Sequence, residues 1–145
     1  MMSQYSVDPQ PLFEVDVVDA RGWIEKLMAT LELQPGDGPR AMRAMRAGLH
    51  AIRDRLSAVE VADLAVRMPV LIRGIYYEGW QPANKPVKER KKEEFLTHIA
   101  QAFRDDPIDP EEVTRAVLGV LTRHVSCGEV AHLEHLLPTE IRSLL

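Results

Sequence analysis

His124, Cys127, His132 and His135 are the residues of this chain whose types suit metal ligation or nucleophilic attack. A structural zinc site needs four such ligands converging tetrahedrally. His132 and His135, three apart, would share one helix face, but the overall spacing follows no metal motif. A helix N-terminus would lower the pKa of Cys127, the one cysteine, yet no base stands ready to use the thiolate. The four are therefore read as surface histidines and a small packed cysteine. No catalytic residue, no metal site and no cofactor is expected. One cysteine also makes no internal disulfide.

A second concentration of chemistry is aromatic. Tyr76, Tyr77 and Trp80 are three of the five Tyr and Trp residues, and Lys85 follows them. Such rings give a partner large contact area with a polar handle. The competing role is structural: Tyr76 and Trp80, four apart, plug a seam between helices. Basic residues gather at Lys85, Lys88, Arg90, Lys91 and Lys92, but Glu89, Glu93 and Glu94 interleave with them, the pattern of a solvated helix face. Arg40, Arg43, Arg46, Arg53 and Arg55 load one helix with positive charge. Arg43 and Arg46 share a face of it, which leaves room for a local anionic partner. No glycine-rich phosphate loop, paired inward carboxylates or Ser-His-Asp pattern accompanies them.

The elements that must position these groups are helical. The chain has 145 residues, 46% apolar and 28% charged, the proportions of one globular domain. Its net charge of −4 gives no global basic excess, so nucleic acid is not an expected partner. No signal peptide or membrane-spanning run stands out, and the cytoplasm is the expected compartment. Residues 1–18, with Pro9, Pro11 and an alternating Phe13-Glu14-Val15-Asp16-Val17, are expected as an extended arm on an all-helical domain over 19–145. Helices are expected over 19–32, with Asp19 as N-cap, then 39–55 and 69–78, with a short helix opened by the Ser57-Ala58-Val59-Glu60 capping box between the last two. Further helices are expected over 88–104 and from Asp109-Pro110 to His124. Two short ones should follow Ser126 and Pro138. The fold class is an all-α bundle of about seven to eight helices.

The chain also repeats itself. Sixty-nine positions separate Ser57 from Ser126, Glu60 from Glu129, Leu64 from Leu133, Pro69 from Pro138, Ile72 from Ile141 and Arg73 from Arg142. Two tandem units, about 19–80 and 88–145, would each expose an apolar stripe and cover one another.

The run Arg73-Gly74-Ile75-Tyr76-Tyr77-Glu78-Gly79-Trp80-Gln81-Pro82, with Leu71-Ile72 before it and Lys85-Pro86 after it, resembles the bacterial domain-of-unknown-function 2267 family. Gly128-Glu129, Leu137-Pro138 and Ile141-Arg142 are its second-half counterpart, and the resemblance covers about residues 19–145. It implies a small all-helical protein with two related halves, and it implies no reaction. Two functions then compete. One is a non-enzymatic interaction module, pairing with a protein partner or with itself through the surface near Tyr77 and Trp80. The other is a small-molecule or anionic-ligand binder with a pocket at the seam, lined by Arg73, Tyr76, Trp80 and Arg142. Lys85 is a candidate contact for either.

Overall fold

The computed structural model describes residues 8–86, 91–124, 127–137 and 139–143. The expected helix start at Lys88, the capping Ser126, the opening Pro138 and the side chain of Cys127 lie outside the described residues. The elements are α1 (Gln10–Thr30), α2 (Gly38–Arg53), α3 (Ala58–Ala65), α4 (Val70–Tyr77), α5 (Lys92–Gln101), α6 (Pro110–His124), α7 (Cys127–Leu136) and α8 (Thr139–Arg142). Short 3₁₀ turns occupy Pro35–Asp37 and Pro82–Asn84, and no strand occurs among the described residues.

The expected extended arm is corrected: the chain is helical from Gln10, nine residues before Asp19. Pro9 and Pro11 sit where the first turn tolerates proline, because those amides have no intrahelical acceptor. The Asp8 carboxylate takes the freed Gln10 amide at 3.0 Å. The alternating segment is held as helix by Asp16, whose carboxylate accepts the Val70 and Leu71 amides at 2.7 and 3.0 Å at the start of α4. Leu12, Phe13, Val15, Val17 and Val18 are left exposed along this overhang. At its other end α1 stops with Glu32 in left-handed backbone (φ 55°), and Leu33 donates back to the Met28 carbonyl, closing a Schellman turn.

Elsewhere local chemistry and structure agree. Ser57 caps α3, its hydroxyl accepting from Glu60 N–H while the Glu60 carboxylate takes the Ser57 amide. Ser57→Ala should cost about 1 kcal/mol, read from urea denaturation; a loss under about 0.3 kcal/mol would show that the cap does little. Asp109 and Pro110 open α6, with the Asp109 carboxylate on the Glu111 amide. Pro69 is the residue before α4 rather than its first.

α2 and α6 cross at the centre of the bundle. α1 packs on both of them and so does α5, and α4 packs on α1 and α2. Ala44, Met45, Leu49 and Ile52 of α2 are buried with Val113, Val117, Val120 and Leu121 of α6 in one core. Each of the Met, Leu, Ile and Val side chains contributes roughly 1.5–3 kcal/mol on burial. Gly48 is what lets the two helices close. A Cβ built there would lie 2.5 Å from Val117 Cγ2, well inside van der Waals contact.

Candidate functional site

The aromatic segment begins inside the protein. Tyr76 is fully buried, one turn after the buried Ile72, and its hydroxyl donates to the Val61 carbonyl at 3.0 Å. Burial pushes the phenol well above its ordinary pKa, so it stays a neutral donor. Tyr76 is therefore corrected from candidate contact to core. Tyr77 stands edge-on to Tyr76 at 5.2 Å, and Trp80 tilts against Tyr77 at 5.6 Å. Both are half-buried and pack on the core. Trp80 Nε1 is buried and meets no acceptor among the described residues.

The two candidate arginines are also turned inward. Arg73 donates to the Ala65 and Met68 carbonyls, each at 3.0 Å, and Arg142 donates to the Leu137 carbonyl at 3.0 Å. Guanidiniums at these positions satisfy carbonyls left over where α3 and α7 end. Of the residues expected to line a pocket at the seam, Arg73, Tyr76, Trp80 and Arg142, none lines either of the two clefts described below.

Two arginines and a histidine of α2 close off α4. Arg53, 4% exposed, donates from Nη1 to the Tyr76 and Glu78 carbonyls at 2.7 Å each and from Nε to Asp54 at 2.8 Å. His50 Nε2 lies 2.7 Å from the Ile75 carbonyl, which can only accept, so that nitrogen carries the proton. Arg46 binds the Glu78 carboxylate at 2.8 Å and holds its pKa below the usual range. Read from sequence, Arg53 is one of several surface charges; its role depends on a partner more than twenty residues away.

Burial holds the His50 imidazole below its usual pKa, against the opposing pull of the Ile75 carbonyl. The unfolded chain thus takes the proton first. Stability is expected to fall as pH drops through the ordinary histidine value near about 6.5 and to level off below the folded-state value. His50→Gln keeps a donor for Ile75 and removes this titration. It should lose less stability than the parent between about pH 7.5 and pH 5.5; equal losses would exclude His50 as a source.

Part of the basic set, including Arg46 and His50 with their α4 partners and Arg55 with the Ala51 carbonyl at 2.8 Å, lines a cleft of about 320 Å³ between α2 and α5. Arg43, Arg46, His50 and Arg55 approach it from the α2 side, His98 from α5, and Lys85 from the loop between. Asp54 is the one carboxylate in this lining, already held by Arg53 and lying 3.7 Å from Lys85. Two arginines lie on phenylalanine rings of the α5 segment, Arg43 over Phe103 at 5.7 Å and Arg55 over Phe95 at 4.7 Å. The two contacts fix α2 and α5 antiparallel and put one guanidinium at each end of the cleft. Arg43 makes no ion pair among the described residues. Of the candidate contacts named from sequence, Lys85 is the one placed here.

A second cleft, about 510 Å³, lies between α1, the end of α3 and α6, and includes Asp19, Trp23, Lys26, Arg67 and His124. His124 stacks on Trp23 at 4.6 Å and accepts from Lys26 at 3.3 Å. Burial, then the nearby Lys26 charge, holds its pKa down. His132 instead reaches toward Glu60 at 3.7 Å. The histidines that share metal-ligand chemistry are thus not brought together, and no group of three or more His, Cys, Asp or Glu is placed to hold a metal among the described residues.

A family model described as an uncharacterized conserved protein, DUF2267, matches residues 20–144. The chain belongs to that family. The DUF2267 match takes in every residue of the α2–α5 cleft and leaves out the overhanging first half of α1. No curated protein matches the chain. No helix is long and apolar enough to cross a membrane among the described residues.

Proposed function

We propose that the protein is a non-enzymatic binding module whose ligand is a small anion seated in the α2–α5 cleft. The observation that carries this reading is the cleft's lining: four permanent cations and two histidines against the single lining carboxylate of Asp54, held by Arg53. Of the cations, Arg46 is paired with Glu78, and Arg43 makes no ion pair among the described residues. Arginine recognises phosphate and carboxylate through paired hydrogen bonds, each charge-assisted. Isothermal titration with inorganic phosphate at low salt should show saturable binding. Arg43→Gln combined with Lys85→Gln should weaken it by about tenfold or more, as loss of one charged hydrogen bond implies. No saturable binding of phosphate by the parent protein ends this reading.

We also infer that the chain is an internal duplication over about 19–80 and 88–145. Several pairings support this. α1–α2 packing has its counterpart in α5–α6, α1–α6 in α5–α2, and α1–α4 in α5–α8. Gly48 meets Val117, its own counterpart sixty-nine positions on, as residues beside a twofold axis do. Arg73 and Arg142, also counterparts, hold counterpart carbonyls at Met68 and Leu137. Under this duplication Arg43 and His50 correspond to Glu112 and Gly119. Arg46 and Arg55 correspond to the basic Arg115 and His124, so Arg43 and His50 are the part of the set that the scaffold does not demand, and their presence on one side favours a ligand. A crystal structure in which residues 20–77 and 92–142 fail to superpose would end the inference.

A second reading keeps the surface around Tyr77 and Trp80 as a contact for a protein partner or a second copy. It draws on the half-buried ring pair and on the indole N–H that lacks an acceptor. Tyr77→Ala with Trp80→Ala, folded but unchanged in oligomeric state and in recovered partners, would remove it.

A further inference from the structure

We infer that α1 pairs, antiparallel, with the α1 of a second copy through a stripe it turns to solvent. The inference uses neither the α2–α5 cleft nor the surface around Tyr77 and Trp80. Pro11, Val15, Val18 and Gly22 follow one another at steps of four and three, the spacing of a coiled-coil seam. On a helix of 3.6 residues per turn they stand away from the buried Ala20, Trp23 and Leu27. Val15 is 62% exposed, Val18 63%, and Leu12 at the edge of the stripe 65%. Gly22 is the most informative member. Glycine inside a helix costs about 1 kcal/mol against alanine. A Cβ built at Gly22 meets nothing within 4 Å, so packing within this chain does not call for glycine there. Its bare backbone is a notch into which another helix can close.

The occupant is a second copy because the stripe complements itself. About a twofold axis between residues 16 and 17, Val15 lies against the partner's Val18 and Pro11 enters the notch at the partner's Gly22. On the flank, Glu14 meets the partner's Arg21, and the axis makes every contact twice. Both charges are open to this. Arg21 makes no ion pair among the described residues, and Gln10 holds Oε1 of Glu14 but not Oε2. Each exposed Leu or Val of the stripe carries roughly 100 Å² of bare apolar surface. Three from each copy would remove roughly 600 Å² from water, the apolar share of an interface of about 1,000 Å², where specific association begins. Asp16, tied to the start of α4, fixes this part of α1 on the fold before a partner arrives. An anionic membrane is the wrong occupant, because Asp8, Glu14, Asp16 and Asp19 all precede the first cation of α1, Arg21.

Sedimentation equilibrium of the full chain at high micromolar concentration and low salt should give twice the 16.4 kDa chain mass. Glu14→Arg alone and Arg21→Glu alone should each weaken the dimer about tenfold or more, because like charges then face each other at both ends. Glu14→Arg combined with Arg21→Glu should return it to within about threefold of the parent, since the pair is restored with its signs exchanged. Gly22→Leu should abolish the dimer, and its helical circular dichroism spectrum should match the parent's. None of these side chains belongs to the core, so the same spectrum confirms that every variant folds. A parent that stays monomeric overturns the inference. So does a dimer that survives Gly22→Leu or either single charge reversal, or a double reversal no tighter than the single ones.

Discussion

Arg53→Met should destabilise the protein by about 3–5 kcal/mol, the range seen when one partner of a buried charged network is removed. The side chain is 4% exposed, and its loss strands three acceptors at once. Two are main-chain carbonyls at the end of α4, those of Tyr76 and Glu78; the third is the Asp54 carboxylate, which also lies 3.7 Å from Lys85. Methionine fills comparable volume, so the loss reports the hydrogen bonds rather than a cavity. Arg53→Lys should fall between, because an ammonium lacks the planar fork that reaches two carbonyls and a carboxylate together. Urea denaturation measures both, and a loss for Met below about 1 kcal/mol would show that α4 does not depend on this clasp.

Gly48→Ala should also destabilise, although alanine is the better helix former by about 1 kcal/mol. The added methyl would stand 2.5 Å from Val117 Cγ2 and 3.0 Å from its Cβ. Valine is stiff at χ1 and cannot swing aside, so α2 and α6 must separate along the core. Overpacking of this kind costs about 1–3 kcal/mol net. The decisive measurement is a double-mutant cycle. In a Val117→Ala background the clash is gone, and Gly48→Ala should become neutral or stabilising. Additive effects of the two substitutions would place the strain elsewhere.

The sequence spoke clearly where structure is local. The Ser57–Glu60 box and the Asp109–Pro110 start each satisfy amides within one turn, so residue type and spacing suffice to find them. It misled at the start of α1, where five apolar side chains remain exposed and no buried stripe marks the helix. There the decisive partner, the amide pair at the start of α4, lies more than fifty residues away. The same limit governs the candidate site. Arg43 and Arg46 are readable as one face of a helix, and Lys85 as a nearby cation. Which arginines line the cleft and which are consumed by main-chain carbonyls depends on how α3, α4 and α7 end. Arg53, Arg73 and Arg142 carry the same formal charge as Arg43 and sit in the opposite role. Tyr76 was more legible than Tyr77, because it follows Ile72 by one turn and stands four residues before Trp80, a spacing that suits a seam between helices; no comparable spacing assigns Tyr77.

Arg43 and Arg55 sit over the Phe103 and Phe95 rings before anything enters the space between them. A free arginine side chain carries about 2 kcal/mol of rotamer entropy, and much of that freedom is surrendered here when the chain folds. A ligand docking between the two rings therefore meets donors whose positions are already chosen. Its residence time, more than its rate of arrival, should register that preparation.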